Sequence, residues 1–473
     1  MRDWAKEEFG EADLGHATRT DRVVAMAARA ARCPGGRVSE VFDTGASRQG
    51  AYDLLENPAV QPAALLAACG TATARRSAAE PYVFVAVDGS SLTLADRRKV
   101  KDFGTVGASL YGGRGLKVMT AYAVSPSGVP VGVLDQAWWA RPPSSSSRGE
   151  PRARQTKRAR NAKRKTSEKE TQRWLDVLAT CEERLDAAGA RAWFQLDREG
   201  DSQPVLHALS QSRHWFTIRS RADRRLDHGE TAIYLRPYLA RQRVLGTYTL
   251  PVPEAHGRTA RVAKMTVRAA TATLRLRDLW TKRVRRITVN AVWTTESSRV
   301  PAGDKPLDWL LLTNLPVRTF DEACEVVRGY TMRWRIEDFH KTWKSGACRV
   351  EDTQLHDKDA VVKWATILAT VAARIERLKH LSRETPDAPA TIELGKLELR
   401  ALILLKTDQK KRTEVVTDHP TIGQATRWIA DLGGYTGKSS GGPPGSITIG
   451  RGWRRVLDAA RLLKLLKPNH RSK

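Results

Sequence analysis

Four residues in the second half of the chain stand at spacings suited to chemistry on phosphate. The stretch from Tyr330 to Lys344 reads YTMRWRIEDFHKTWK and carries Tyr330, Arg333, Glu337 and Lys344 at steps of three, four and seven residues. At 3.6 residues per turn those steps return to one face of a helix. Such a face presents one carboxylate, two cations and a phenol. That set suits holding a divalent ion and gripping a phosphate backbone beside it.

One carboxylate does not hold a pair of magnesium ions, so further acids must come from other elements. Asp88 lies in YVFVAVDGSSLTL and Asp197 in ARAWFQLDREGDS. Each follows an apolar run that reads as a buried strand, with the acid at or near its exit. A buried carboxylate is costly unless it is paired or bound to a metal. Magnesium takes hard oxygen ligands and keeps water or phosphate oxygens in its other positions. Two ions held by Asp88, Asp197 and Glu337 would suit an in-line phosphoryl transfer. Ordinary strand-edge and helix-surface acids are the alternative, and Asp201 and Asp338 compete as ligands because each sits within a turn of a named one.

Around these residues the chain changes character several times. Residues 1–77 read as helices. TRTDRVVAMAARAARC has apolar residues at helical spacing behind a Thr/Asp start, with Arg19, Arg22, Arg29 and Arg32 on its flanks. A second helix begins near Ser47, beside Arg48, and runs through QGAYDLLEN. Two short helices with a glycine-containing connection suit a helix-turn-helix-like reader of duplex DNA; the arginines read otherwise as a solvated face. Beyond residue 78, YVFVAVDGSSLTL, GLKVMTAYAVS and VPVGVLDQAWWA read as successive strands, with an SPSG turn between the last two. SEKETQRWLDVLATCEERLDAAG is an amphipathic helix with Ser167 as its capping candidate. RAWFQLD, HWFTIRS and LDWLLLTN are further strands, and residues 319–346 read as one long helix. Residues 221–305 turn to short alternating strands, and residues 376–473 are helical again. The Ser/Pro-rich and then basic stretch 141–170 reads as a solvated loop or as an arm for DNA phosphates.

Composition narrows the partner. Lys and Arg number 80 against 52 Asp and Glu, a formal charge of +28. A field of that sign suits a polyanion, bound in a steeply salt-dependent way. The sequence has no apolar run of about 18–20 residues, so no membrane span is expected. MRDWAKEEFGEADLG lacks the apolar region of a secretory signal. The five cysteines are scattered and form no CxxC, which favours reduced thiols over a zinc site or a disulfide frame.

Taken in order, these motifs resemble the DDE transposases of bacterial insertion sequences, in the transposon-five group with its Tyr-x2-Arg-x3-Glu-x6-Lys signature. DWAKEEFGEADLG, QGAYDLLENP at 49–58, DQAWWARP at 135–142, LDREGD at 196–201 and PLDWLLLTNLPV at 306–317 carry the resemblance with the signature itself, and LGGYTGKSSGGPPG extends it. It implies an α/β fold with a ribonuclease-H-like catalytic core at 78–375. A β-rich insertion at 221–305 interrupts that core, a helical end-recognition domain at 1–77 precedes it, and a helical dimerisation domain at 376–473 follows.

The resemblance also implies roles. Asp88, Asp197 and Glu337 would be the catalytic ligands of two magnesium ions, with manganese able to substitute. Tyr330 and Arg333 would bind phosphates near the scissile bond, where a helix-surface ion-pair cluster with Glu337 is the other reading, and Lys344 the end of the transferred strand. Trp309 would stack a flipped base, although its apolar strand suits a plain core tryptophan equally. Arg19, Arg22 and Arg48 would contact the end sequence, while Asp53 stands where the family has a basic residue. The implied activity is cut-and-paste transposition: one strand is cut, its 3′-hydroxyl attacks the opposite strand to leave a hairpin, the hairpin is opened, and the 3′-ends join target DNA. The implied partners are double-stranded transposon ends, target DNA and a second copy of the chain, in a bacterial cytoplasm and at the nucleoid. A nuclease without strand transfer and a domesticated DNA-binding regulator are the rival readings.

Overall fold

Alternation along the strands divides the protein into two apolar layers on either face of one sheet. The computed structural model describes residues 4–107, 113–141, 165–227, 233–254, 257–278, 281–409, 415–437 and 442–466. Among these, ten strands form the sheet: β1 (Val83–Thr93), β2 (Gly104–Val106), β3 (Gly113–Val124), β4 (Pro130–Trp139), β5 (Ala192–Leu196), β6 (Trp215–Arg219), β7 (Gly246–Val252), β8 (Arg261–Arg277), β9 (Val284–Glu296) and β10 (Asp308–Thr313). β1 lies between β3, antiparallel to it, and β5, parallel to it. β4 and the short β2 pair with β3. On the other side β6 runs parallel to β5, and β10, β9, β8 and β7 continue antiparallel. A parallel pair needs a crossover, and α6 (Thr171–Ala187) and α7 (Gln203–Gln211) supply the two.

Because side chains alternate across a strand, Phe84 and Ala86 enter one apolar cluster and Val83, Val85 and Val87 the other. Trp193 belongs with the first set, and Ala192, Phe194 and Leu196 with the second. An unbroken apolar run such as VFVAV is what a strand covered on both faces requires.

Helices before and after the sheet share the first cluster. The N-terminal set is α1 (Trp4–Phe9), α2 (Ala17–Arg32), α3 (Val38–Val41), α4 (Gly45–Glu56) and α5 (Pro62–Ser77). α2 starts at Ala17 behind His16, whose side chain accepts from the Thr18 N–H; α4 starts at Gly45 behind Thr44, which accepts from the Ser47 N–H. α6 begins at Thr171 with Glu170 before it. Ser167 does not cap it but lies in a separate 3₁₀ turn at Thr166–Glu168, because Lys169 returns to extended backbone. Most of the basic stretch, residues 142–164, lies outside the described residues.

A short helix, α8 (Leu235–Ala240), precedes β7. The segment read as one helix over 319–346 is two, α9 (Phe320–Thr331) and α10 (Trp334–Lys344). Near Met332 and Arg333 the bonds tighten to three-residue steps, from Arg333 N–H to Tyr330 O at 3.2 Å, Arg335 N–H to Met332 O at 3.1 Å and Ile336 N–H to Arg333 O at 3.1 Å. That tightened turn ends the first helix and begins the second.

The 27-residue α11 (Lys358–Glu384) is buried over most of its length. Its Lys363 ammonium donates to the carbonyls of Leu55 and Asn57 at 2.8 and 2.9 Å, satisfying the end of α4. Its Trp364 indole donates to Gly36 O at 2.8 Å. The boundary drawn at 375/376 falls inside this helix. The last helices, α12 (Lys396–Gln409), α13 (Ile422–Leu432) and α14 (Ser446–Leu465), add Leu402, Ile429 and Trp453 to the same apolar cluster as Phe9, Phe84 and Trp364.

Candidate active site

Strand register brings the two aspartates together. Val87 of β1 is the register partner of Leu196 of β5, so Asp88 and Asp197 are the next residues on two neighbouring parallel strands. Alternation then aims both toward the face that carries Phe84, Ala86 and Trp193. α9 and α10 pack on that face. Gly329 permits the close approach: a Cβ there would stand 3.0 Å from Phe84 and 3.1 Å from Trp193. Ile336 and Phe339 anchor α10 in the same layer, with Phe339 stacked on Tyr122 at 4.7 Å. Asp88 is not at a strand exit, because β1 continues to Thr93 through DGSSLT; Asp197 does follow the last residue of its strand.

Arg333 occupies the middle of the acids. Its Nη1 donates to Asp88 Oδ2 at 3.2 Å and to Glu337 Oε1 at 3.3 Å. The side chain is only 7% exposed, against 44% for Glu337. Burial pushes the Asp88 carboxyl up to about 7; Arg333 opposes this, and the charges of Asp197 and Glu337 add to it. Arg333 is itself held more basic than a free arginine, because Asp88, Tyr330, Asp197 and Glu337 together outweigh its burial. Asp88 Oδ1 accepts from Gly89 N–H at 2.9 Å and Asp197 Oδ1 from Glu199 N–H at 2.7 Å, which orients both carboxylates.

The donor set fits a hard divalent ion. Ligand atoms of Asp88, Glu337 and His340 all lie within 4.8 Å of one another. Asp197 adds a carboxylate close enough to perturb Asp88. His340 was not singled out from the sequence, although Glu337-x-x-His340 places both residues on one helix face.

The other signature residues are placed differently from a single exposed face. Tyr330 belongs to α9 and is buried, with its ring edge-on to Trp309 at 5.8 Å and beneath the Arg333 guanidinium at 6.0 Å. Trp309, at the start of β10, is half-buried, and the Arg219 guanidinium lies 5.9 Å from its ring. Arg219 was also missed; the sequence showed it only as a cation ending an apolar strand. Lys344 ends α10, with its ammonium 3.8 Å from Glu351, whose carboxylate accepts from the Thr93 N–H at the end of β1.

Neither competing acid joins the site. Asp201 is buried, accepts from Ser220 Oγ at 3.1 Å and Arg221 N–H at 2.7 Å, and is ion-paired with Arg224. Asp338 points to a different cluster, where Lys379 Nζ lies 3.1 Å from it and 2.5 Å from Glu376. Glu376 also accepts from Thr342 Oγ1 of α10 and, at 2.5 Å, from Ser446 Oγ at the start of α14. It therefore ties the Glu337 helix to the last helix. Burial would raise its pKa, but bonds from His380, Lys379 and Ser446 hold it down to about 2. A carboxylate lowered in this way stabilises the fold above its free value of 4.5, and that stabilisation is lost as pH falls toward 2. Glu376→Gln should therefore cost roughly 2–3 kcal/mol at neutral pH and flatten the loss of melting temperature between pH 4.5 and 2. An unchanged acid profile would contradict this.

The N-terminal arginines surround α2 and α4. Arg19 donates to Leu14 O at 2.9 Å and Arg48 to Phe42 O at 3.3 Å, each bond leaving further donors on the guanidinium. Arg22 is exposed and crosses α4 at Gly50, where a Cβ would stand 1.9 Å from its Nη1. Asp53 accepts from Gln49 at 2.8 Å on the same helix.

Fold and site together define a mixed α/β protein with a carboxylate cluster on its sheet and basic helices at its N-terminus. Residues 1–60, which span α1 to α4, match the transposase DNA-binding family. The chain thus carries a transposase DNA-binding region at its N-terminus. No helix among the described residues is long and apolar enough to cross a membrane.

Proposed function

We propose that this protein is a DDE transposase that cuts and pastes DNA. The observation that carries the reading is Arg333 bridging Asp88 and Glu337, with Asp197 following the neighbouring strand, in a chain whose first 60 residues match a transposase DNA-binding family. The strand order β4-β3-β1-β5-β6, with β1 antiparallel on one side and parallel on the other, supports a ribonuclease-H-like core at 78–375. β7, β8 and β9 supply its β-rich insertion at 221–305. On this reading residues 1–77 recognise the element's ends, and residues 376–473 join two copies on paired ends.

Asp88, Asp197 and Glu337 would hold two divalent ions, magnesium or manganese, and the chemistry such ions would supply is Lewis-acid stabilisation of charge on phosphate oxygens. Arg333, already among the carboxylates, and Tyr330 beside it orient the phosphate at the scissile bond. Lys344 grips the end of the transferred strand, and Trp309 holds a base drawn out of the duplex. Strand cleavage frees a 3′-hydroxyl, which attacks the opposite strand to form a hairpin; after the hairpin opens, the same end joins target DNA. Arg19, Arg22 and Arg48 contact the end sequence, and the place of action is the bacterial nucleoid.

The test is a magnesium-dependent cleavage assay on linear DNA carrying the ends of the source element, run on native and denaturing gels. Hairpin-ended product from the parent, absent from Asp197→Asn, supports the transposase. Nicking or cutting without hairpins and without joining supports a nuclease instead. Binding without cleavage by the parent supports a regulator.

A further inference from the structure

Among the described residues His340 is the one imidazole that the fold presses against the candidate metal site, and the proposed mechanism leaves it without a task. It stands three residues after Glu337 on α10, so both side chains project from one helix face. A ring nitrogen lies within 4.8 Å of carboxylate oxygens of both Asp88 and Glu337. The residue is 5% exposed, and its Nε2 is buried without a hydrogen-bond partner. A buried polar atom left unpaired costs about 1–3 kcal/mol. Phe339 at 5.5 Å and Trp343 at 6.4 Å wall the ring on its apolar side.

The charged groups that bear on this ring are Asp88, Glu337, Arg333 and Lys344. Burial, with Lys344 and Arg333 adding to it, disfavours the charged form of the imidazole. Carboxylate oxygens alone suit magnesium, whereas an imidazole nitrogen raises relative affinity for transition metals.

We propose that His340 is a nitrogen ligand to a divalent cation shared with Asp88 and Glu337, giving one mixed oxygen–nitrogen position that prefers manganese to magnesium. The assignment rests on the reading of these acids as a metal site. It adds a ligand outside the three-acid set and a basis for discriminating between metals. Asp197, which is not one of these three, stays with the oxygen-only position.

Pulsed electron paramagnetic resonance of Mn2+ bound to the full chain tests the ligand directly and needs no variant to fold. The expected result is a nitrogen-14 hyperfine coupling of a directly bound imidazole, lost in His340→Ala and His340→Gln. Titration should show manganese affinity falling about tenfold or more in these variants while magnesium affinity, read by competition, changes less. Manganese that binds and is lost in Asp88→Asn and Glu337→Gln, yet shows no nitrogen coupling, overturns the assignment of His340 and keeps the acidic site. Manganese binding insensitive to Asp88 and Glu337 overturns both.

Discussion

Glu337→Gln is expected to lower metal-dependent cleavage of end-bearing DNA by roughly three orders of magnitude, because one removed ligand withdraws several kcal/mol of charge stabilisation from the transition state. The protein itself should survive the change. Glu337 is 44% exposed, and its recorded polar partner is Arg333 at 3.3 Å. Because the glutamate side of this pair faces solvent, losing its charge should cost no more than about 1 kcal/mol. Glutamine keeps the shape and still accepts from Arg333. Binding of DNA ends, which the N-terminal helices carry on the proposed reading, should be unchanged in a gel-shift titration. Cleavage at the parent rate would remove Glu337 from the site; loss of end binding along with cleavage would mean that α10 supports the reader rather than the chemistry.

Arg333→Met should destabilise the metal-free protein by about 3–5 kcal/mol near pH 8, the usual consequence of removing one partner from a buried charged cluster. Arg333 is 7% exposed and donates to two carboxylates, and Asp197 also contributes to holding it charged. Without it, Asp88 and its acidic neighbours are left facing one another. Asp88, already raised to about 7, should then bind its proton more tightly, so the loss shrinks as pH falls. Manganese should restore stability to the variant by more than it adds to the parent, since the ion replaces the lost positive charge. Melting curves with and without manganese at two pH values check all three statements. Equal melting of parent and variant without metal would show that Arg333 does not balance the acids. The same substitution removes a phosphate contact on the proposed reading, so stability rather than cleavage is the informative measurement.

Much of the scaffold is legible in the sequence. Short buried runs such as the apolar VFVAV, and AWFQL with its single glutamine, read as strands covered on both faces, and both are. The alternating segments at 246–252, 261–277 and 284–296 are strands. Less legible were the places where local rules are overridden. Spacing describes an ideal helix, and no proline marks the tightening at Met332 and Arg333, so the four signature residues divide between two helices. Tyr330 is buried under Trp309 because α9 lies against the sheet, which no pattern within α9 declares.

Residue order alone carries the strongly basic charge, Asp88 and Asp197 beside apolar runs, and the carboxylate Glu337 one turn beyond Arg333. These follow from composition and from two periodicities, and both are local properties. Only the tertiary structure decided that Asp88 and Asp197 are neighbours, since that depends on which strands pair and in what register. It also decided that Arg333 turns inward to the acids, that Asp338 faces Lys379 instead, and that His340 is buried against Asp88 and Glu337. Each of those outcomes is set by a partner far away in the chain, where residue spacing carries no information.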